Sequence, residues 1–358
     1  MFDLEEKYKK DNIAWDKCAE TYETQIVGGH PDIYAFENFE EDFLDRLLLY
    51  LIEKKERPIK VLDLGCGSGR LHIRYGAKTV NNEEIKKFPK LMEIKKTHPE
   101  LAYDPKLKEG LAEVWGIDFS VKMIELAEAK IKQAQLDKAQ TVPLTLDQGS
   151  AFELDEEPKE IFPLAVNLVN SICVMQGPEG AAELFKSMRK NVEKADGIAI
   201  ISNYQKEYIE SYGLGQYEST LDVSGHPWWM VPDTYASPDY KFIPKHYIRA
   251  YTKDPRLHVD VYDKKGNLVK EDHVLRRDPE RTKEVIKTGH IRLHTDYESH
   301  WYSFKQMDDW IRAHWKGAGR TYHFETSRLD KLRAEPAQMS ILDCGDHLKD
   351  LFSRWKMI

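Results

Sequence analysis

The chain has 358 residues, with 53 lysines and arginines against 61 aspartates and glutamates, and its net charge of −8 argues against a general nucleic-acid surface. Hydrophobic residues at 41% and aromatics at 11% can build a sizeable core, which excludes wholesale disorder. The acidic N-terminus, the lack of any long apolar run and four scattered cysteines (18, 66, 173 and 344) argue against a signal peptide, a membrane span, a disulfide framework and a zinc site, and a reducing cytoplasm is expected.

Residues 1–30 read as a helix and a turn, because Tyr8, Ile13, Trp15, Cys18, Ala19 and Tyr22 fall roughly on one face before Gly28-Gly29. Residues 37–55 read as an amphipathic helix carrying Phe39, Phe43, Leu44, Leu47, Leu48 and Leu51. Ile59 to Leu64 is a short apolar run, broken only by Lys60 and Asp63, and predicts a buried strand. Gly65, Gly67 and Gly69 follow at alternate positions, and Leu71-His72-Ile73 then opens a helix. Glycine suits a backbone that must turn sharply or approach a ligand closely. Residues 79–111, rich in Lys and Glu with Pro89, Pro99 and Pro105, read as a helical surface insertion, with a lid over the site as the other reading.

A second strand is expected over Ala112–Asp118, followed by a helix from Val121 that Ser120 is placed to cap. Further strands are expected at Leu144 onward, at Phe162–Ser171 and at Asp196–Asn203, with a helix over Pro178–Val192. From Tyr204 to about Tyr302 the pattern alternates: 246–251, 257–262, 268–275 and 290–295 predict antiparallel strands, with Asp263–Asn267 as a hairpin turn. A helix from Tyr302 and two closing antiparallel strands, 321–326 and 338–344, complete the chain.

The spacing at 65–69 rejects two nucleotide signatures. A dinucleotide fingerprint needs G-x-G-x-x-G, but Arg70 stands at the last position; a P-loop needs G-K-[ST], which the sequence lacks. What stands here is D-x-G-x-G-x-G, and it resembles the first motif of the class I S-adenosylmethionine-dependent methyltransferases. Gly116-Ile117-Asp118-Phe119-Ser120-x-x-Met123-Ile124-x-x-Ala127 resembles the second motif of that family. Asp147-Gln148-Gly149-Ser150-Ala151 resembles its third-strand motif, with Ser150 where an acid is usual. The segment from Trp15 to Glu23 is similar to the aromatic leader helix of many small-molecule members.

The resemblance implies an α/β fold, a doubly wound Rossmann-like sheet that is mostly parallel with a closing antiparallel strand, plus a small antiparallel β insertion. It implies a leader over the site (1–58), a cofactor-binding core (59–203 and 300–358, interrupted by the helical insertion 79–111) and an inserted acceptor-binding subdomain (204–299). The implied cofactor is S-adenosyl-L-methionine. Its methionine end falls to Asp63, Gly65, Cys66, Gly67 and Gly69, and its ribose to Asp118, an acid at a strand end suited to paired hydroxyls. Phe119, Met123, Ser150 and Ala151 would line the adenosine, with Asn170, Trp15 and Tyr22 beside the cofactor.

Displacement at a sulfonium needs alignment and exclusion of water more than acid–base help. A base enters only for a protonated acceptor, and Tyr22 and His294 are the catalytic candidates. Asn203, Trp228, Trp229, Tyr247 and Tyr302 are the candidate acceptor contacts, their aromatic faces suited to cations. The expected function is methyl transfer to an N or O atom of a small molecule. An RNA or protein methyltransferase is the alternative, and a non-catalytic cofactor-binding protein the second. The expected partner is the small-molecule acceptor, with neither membrane nor nucleic acid; the oligomeric state is open, a homodimer among the options. No metal is expected.

Overall fold

The computed structural model describes residues 31–76, 105–133, 142–154, 161–204, 302–315, 319–325 and 337–355, residues 15, 16 and 19, and the strands between 218 and 300 as backbone. The chain divides into two compact units. The core unit comprises Pro31–Ile172, Gly180–Asn203 and Phe304–Ile358; the other comprises Met1–His30, Cys173–Glu179 and Tyr204–Ser303.

In chain order, helix α1 spans Pro31–Lys55 and strand β1 Ile59–Leu64. Pro31 suits a first helical position, where its missing N–H costs nothing and its φ is already helical. The helix therefore starts earlier than the expected residue 37. Its buried face carries Phe43, Leu44, Leu47, Leu48 and Leu51, Lys54 and Lys55 sit in its last turn, and Glu56 just beyond adopts a left-handed φ of +49°. Then come α2 (Arg70–Gly76), α3 (Pro105–Gly110), β2 (Leu111–Asp118), α4 (Val121–Gln133), β3 (Leu144–Gln148), β4 (Leu164–Asn167), a 3-10 turn (Ser171–Val174), α5 (Gly177–Asn191) and β5 (Ile198–Tyr204). Strands β6 (Glu218–Leu221), β7 (Pro227–Asp233), β8 (Lys245–Arg249), β9 (Leu257–Tyr262), β10 (Leu268–Leu275), β11 (His290–Leu293) and β12 (Tyr297–His300) follow. The chain closes with α6 (Phe304–His314), β13 (Arg320–Glu325), β14 (Ala337–Asp343) and α7 (Leu348–Arg354).

Among the described residues of the core unit, seven strands form one sheet in the order β13-β14-β5-β4-β1-β2-β3. β1 lies centrally and pairs in parallel with β2 and β4, Asp63 standing opposite Gly116 on one side and Val166 on the other. β2–β3 and β4–β5 are parallel too, whereas β13 and β14 pair antiparallel. β4 is buried at all four positions, which explains the apolar Leu164-Ala165-Val166 before the buried Asn167. A doubly wound sheet, mostly parallel with an antiparallel closure, is the expected class. The core beneath it gathers Leu44, Leu48, Val61, Val166, Ile200 and Phe352 among others.

In the second unit the described strands form two antiparallel sheets, β12-β8-β7-β6 and β10-β9-β11. β9 and β10 flank the expected hairpin turn, with Leu268 opposite Tyr262. Trp228 and Trp229 lie in β7, between β6 and β8. The sequence pattern predicts no strand at β6, β7 or β12. The reason is visible: Pro227 and Pro232 fall inside β7, and proline within a run argues against an interior strand because it cannot donate to the ladder. Among the described residues no helix is long and apolar enough to cross a membrane.

Candidate active site

The site grows from the end of β1. Gly65, Gly67 and Gly69 all take left-handed φ values, +79°, +51° and +75°, which a side chain would strain. The loop is knitted to the end of β2: the N–H groups of Gly65 and Cys66 both donate to the Ile117 carbonyl, at 2.8 and 3.0 Å. Gly67 N–H donates to Asp118 Oδ2 at 2.9 Å, and Gly69 N–H to the Cys66 carbonyl at 3.0 Å. These four amides are engaged within the protein, and α2 beyond them has only seven residues. Engaged with internal carbonyls and Asp118, these four groups give no support for a carboxylate-binding role of the loop amides.

Close packing beneath the loop explains Gly116. A Cβ there would stand 2.3 Å from His72 Cε1 and 2.8 Å from Cys66 Cβ, so the strand position is small because a buried imidazole fills the space. His72 Nε2 lies 3.0 Å from the Thr145 carbonyl, which can only accept, so Nε2 carries the proton and Nδ1 is left bare. Burial pushes the His72 imidazole down to about 4, the bond to Thr145 opposing that shift. The ring is neutral near pH 7.

Asp118 is buried, and its other oxygen accepts the Ser120 N–H at 3.0 Å. Ser120 Oγ in turn accepts the Met123 N–H at 3.1 Å, the N-cap of α4 expected from sequence. The Asp118 carbonyl takes the Gly149 N–H at 2.9 Å, bringing the exits of β2 and β3 together. Met123 and Ala151 are buried, Phe119 and Ser150 half-buried. Ser150 Oγ accepts the Phe152 N–H at 3.1 Å, so this hydroxyl shapes the turn that follows β3.

Asp63 is nearly inaccessible, and burial raises its carboxyl to about 7; Arg70 opposes the shift, Asp118 and Glu40 reinforce it. Burial and the same two aspartates also push the Cys66 thiol well up, so it is no nucleophile. At the exit of β4, Asn167 donates to the Leu64 carbonyl at 2.6 Å, tying the ends of β4 and β1. Val169 and Asn170 both adopt left-handed φ, +49° and +62°. Asn203 is fully buried and accepts from Gln338 Nε2 at 3.1 Å.

The core unit thus brings Asp63, Gly65, Cys66, Gly67, Gly69, Asp118, Phe119, Met123, Ser150, Ala151, Asn170 and Asn203 to the exits of adjacent strands. Trp15 and Tyr302 belong to the other unit. Trp15 is half-buried and helical; Tyr302 is fully buried, its hydroxyl pushed well up by burial and by Cys173 and Glu179. Trp228, Trp229 and Tyr247 are strand residues of β7 and β8. Tyr22 and His294 lie outside the described residues.

Sequence reading missed the groups behind the loop, namely Glu40, Arg70, Asn167, Ser202 and Gln338, because their partners lie far along the chain. His, Ser and Asp side chains also meet among the described residues. His323 lies 2.9 Å from Ser340 Oγ and 3.0 Å from Asp308 Oδ1. Ser340 is fully buried, however, so this trio locks β13, β14 and α6 together and offers no accessible nucleophile. Among the described residues no group of three or more His, Cys, Asp or Glu is placed to hold a metal ion.

The donor set fits S-adenosylmethionine. A carboxylate only accepts hydrogen bonds, and Asp118 places one at the end of β2, the position suited to paired ribose hydroxyls. Asp63 supplies a buried acid of the sign an ammonium requires.

Comparison with known proteins places the chain. No curated protein matches it in sequence. Solved structures that resemble it include an S-adenosylmethionine-dependent methyltransferase from Clostridium acetobutylicum, 12% identical, with 92% of this chain and 99% of that one covered at a TM-score of 0.49. The CcbJ methyltransferase from Streptomyces caelestis is 13% identical, with 92% and 96% covered and a TM-score of 0.48. CalS10, an amino pentose methyltransferase from Micromonospora echinaspora, is 11% identical, with 86% and 91% covered and a TM-score of 0.43. A family model described as a methyltransferase domain matches residues 36–237, more than half of the chain. That span holds β1, the glycine loop and Asp118, and the chain belongs to this family, as a class I S-adenosylmethionine-dependent methyltransferase.

Proposed function

We propose that the enzyme methylates an N or O atom of a small molecule by direct displacement. The observation that carries the site assignment is the grip of Asp118 on the glycine loop: one carboxylate reaches Gly67 while the buried Asp63 stands a strand away. In this reading Asp118 meets the ribose hydroxyls, Asp63 faces the ammonium, and Met123 and Ala151 pack the adenosine. Bound S-adenosylmethionine supplies an electrophilic methyl group and a neutral thioether as leaving group. The chain's own task is alignment and exclusion of water. Residues 59–203 and 300–358, with the helical insertion 79–111, act as the cofactor-binding core; 1–58 act as the leader, and 204–299 bring the acceptor.

The acidic net charge and the aromatic content of the inserted strands favour a small, uncharged or cationic acceptor over a nucleic acid. Tyr22 and His294 are carried as the candidates for proton removal, and Trp228, Trp229, Tyr247, Tyr302 and Asn203 as acceptor contacts. A cytoplasmic setting suits the buried free thiols of Cys66 and Cys173. The test is transfer of labelled methyl from S-adenosylmethionine into a pool of small metabolites, run beside RNA and protein pools. Label in a small molecule supports the proposal. Label confined to RNA or protein overturns the acceptor class.

A further inference from the structure

Glu40 is fully buried on α1, where an isolated carboxylate would be strongly disfavoured. It meets three partners from three other elements. Its Oε2 is paired with Arg70, the first residue of α2 directly after Gly69. Its Oε1 accepts the Val169 N–H at 3.1 Å and a hydrogen bond from the Ser202 hydroxyl near the end of β5. Ser202 holds the same turn again: its Oγ accepts the Val169 N–H at 2.9 Å and its carbonyl the Asn170 N–H at 3.1 Å. The turn needs holding. Val169 is β-branched and Asn170 follows it in the same left-handed region, so two consecutive residues carry strain that the surroundings must over-determine.

We propose that Glu40 is a positioning residue of the cofactor site, one buried carboxylate that fixes both the Arg70 side of the glycine loop and the Val169–Asn170 turn at the exit of β4. The inference rests on the proposed placement of the cofactor between Asp63 and Asp118. Its electrostatic reach follows from the neighbours of Asp63. The charged and titratable groups facing that acid are Arg70 on α2, Asp118 at the end of β2, Glu40 on α1 and the Cys66 thiol in the loop. Arg70 favours ionised Asp63, whereas Glu40 and Asp118 oppose it. Removing the charge of Glu40 therefore makes Asp63 ionise at lower pH, and removing that of Arg70 makes it ionise at higher pH.

The experiment titrates S-adenosylhomocysteine, which carries the same ribose and amino-acid end, into the full chain by calorimetry from pH 5.5 to 8.5. Wild-type affinity should rise with pH as Asp63 ionises. Glu40→Gln should move that midpoint down and Arg70→Gln should move it up, each by roughly half a pH unit or more. A role limited to holding the fold would lower the melting temperature and leave both midpoints where they were, which overturns the proposal. Should Glu40→Gln be too unstable to titrate, Ser202→Ala asks about the turn: affinity weakened about threefold or more, at an unmoved midpoint, supports the proposal, and wild-type affinity overturns it. Asp118→Ala separates the two layers. If it weakens binding while the Glu40 and Arg70 midpoints stay fixed, only this inference falls; if it binds as wild type, the site assignment falls and takes the inference with it.

Discussion

The Asp118 carboxylate accepts the Gly67 N–H at 2.9 Å, so the acid that closes β2 also braces the glycine loop that closes β1. Two roles then share one side chain. Asp118→Ala should weaken binding of S-adenosylhomocysteine by roughly 1–3 kcal/mol through the lost charge-assisted bonds. It should also loosen the loop, since Gly67 and Ser120 both lose their acceptor. Asp118→Asn retains one oxygen and should fall between the two. Titration calorimetry on the three proteins checks the order, and equal affinity across them would remove Asp118 from the site.

This sharing shows what a sequence can and cannot reveal. The strand, the loop and Asp118 were legible because each is local: an apolar run, alternating glycines, an acid before a capped helix. Glu40 was not legible, because its hydroxyl partner Ser202 is 162 positions away and a glutamate in an amphipathic helix reads as solvated surface. Gly116 looked like part of a motif, and only the placement of His72 shows that it is also a packing requirement. Strand β7 was hidden by its two prolines. The catalytic candidates Tyr22 and His294 rest on family resemblance and position, with no local pattern that fixes their geometry.

Stability should depend on pH through two opposed groups beneath the loop. Asp63 is raised to about 7, so between its ordinary value near 4 and 7 the native state binds more protons than the unfolded chain, and stability falls as pH rises. His72 is lowered to about 4, so between about 4 and 6.5 the native state binds fewer, and stability rises with pH. The two slopes, each at most about 1.4 kcal/mol per pH unit, oppose one another in that window. Asp63→Asn should therefore gain stability relative to wild type as pH increases from 4 to 7, while His72→Gln should lose it between 4 and 6.5. Urea unfolding of wild type and both variants across this range reads the differences directly. Parallel curves for all three would show that neither group is buried in solution.

Gly116→Ala should damage the site without touching a ligand contact. The new methyl would meet His72 Cε1 at 2.3 Å and Cys66 Sγ at 2.9 Å, forcing the imidazole or the start of the loop to move. Overpacking of this kind costs about 1–3 kcal/mol. Because the displaced groups carry the loop, cofactor affinity should fall together with the melting temperature. The pair Gly116→Ala with His72→Ala, which opens the space again, should recover part of both. A melting temperature within a degree of wild type for the single variant would contradict this packing.

The strongest mutational effect should come from Arg74. Its guanidinium is almost wholly buried and grips Asp45 through two nitrogens while reaching Glu41 Oε2 at 2.6 Å. Asp45 is itself fully buried and also accepts the Tyr75 hydroxyl at 2.7 Å. The cluster joins α1 to α2, the short helix that follows the glycine loop. Arg74→Ala would leave the Asp45 carboxylate out of water with Tyr75 as its remaining named partner, and removing one member of a buried pair costs about 3–5 kcal/mol. Removing both charges is a different experiment. In Arg74→Met with Asp45→Asn no buried carboxylate is stranded at position 45, so much of the lost stability should return. Chemical denaturation of Arg74→Met, Asp45→Asn and the double variant measures this coupling. If the double variant were as unstable as the sum of the singles, the pair would act independently and the cluster would not be the joint between α1 and α2.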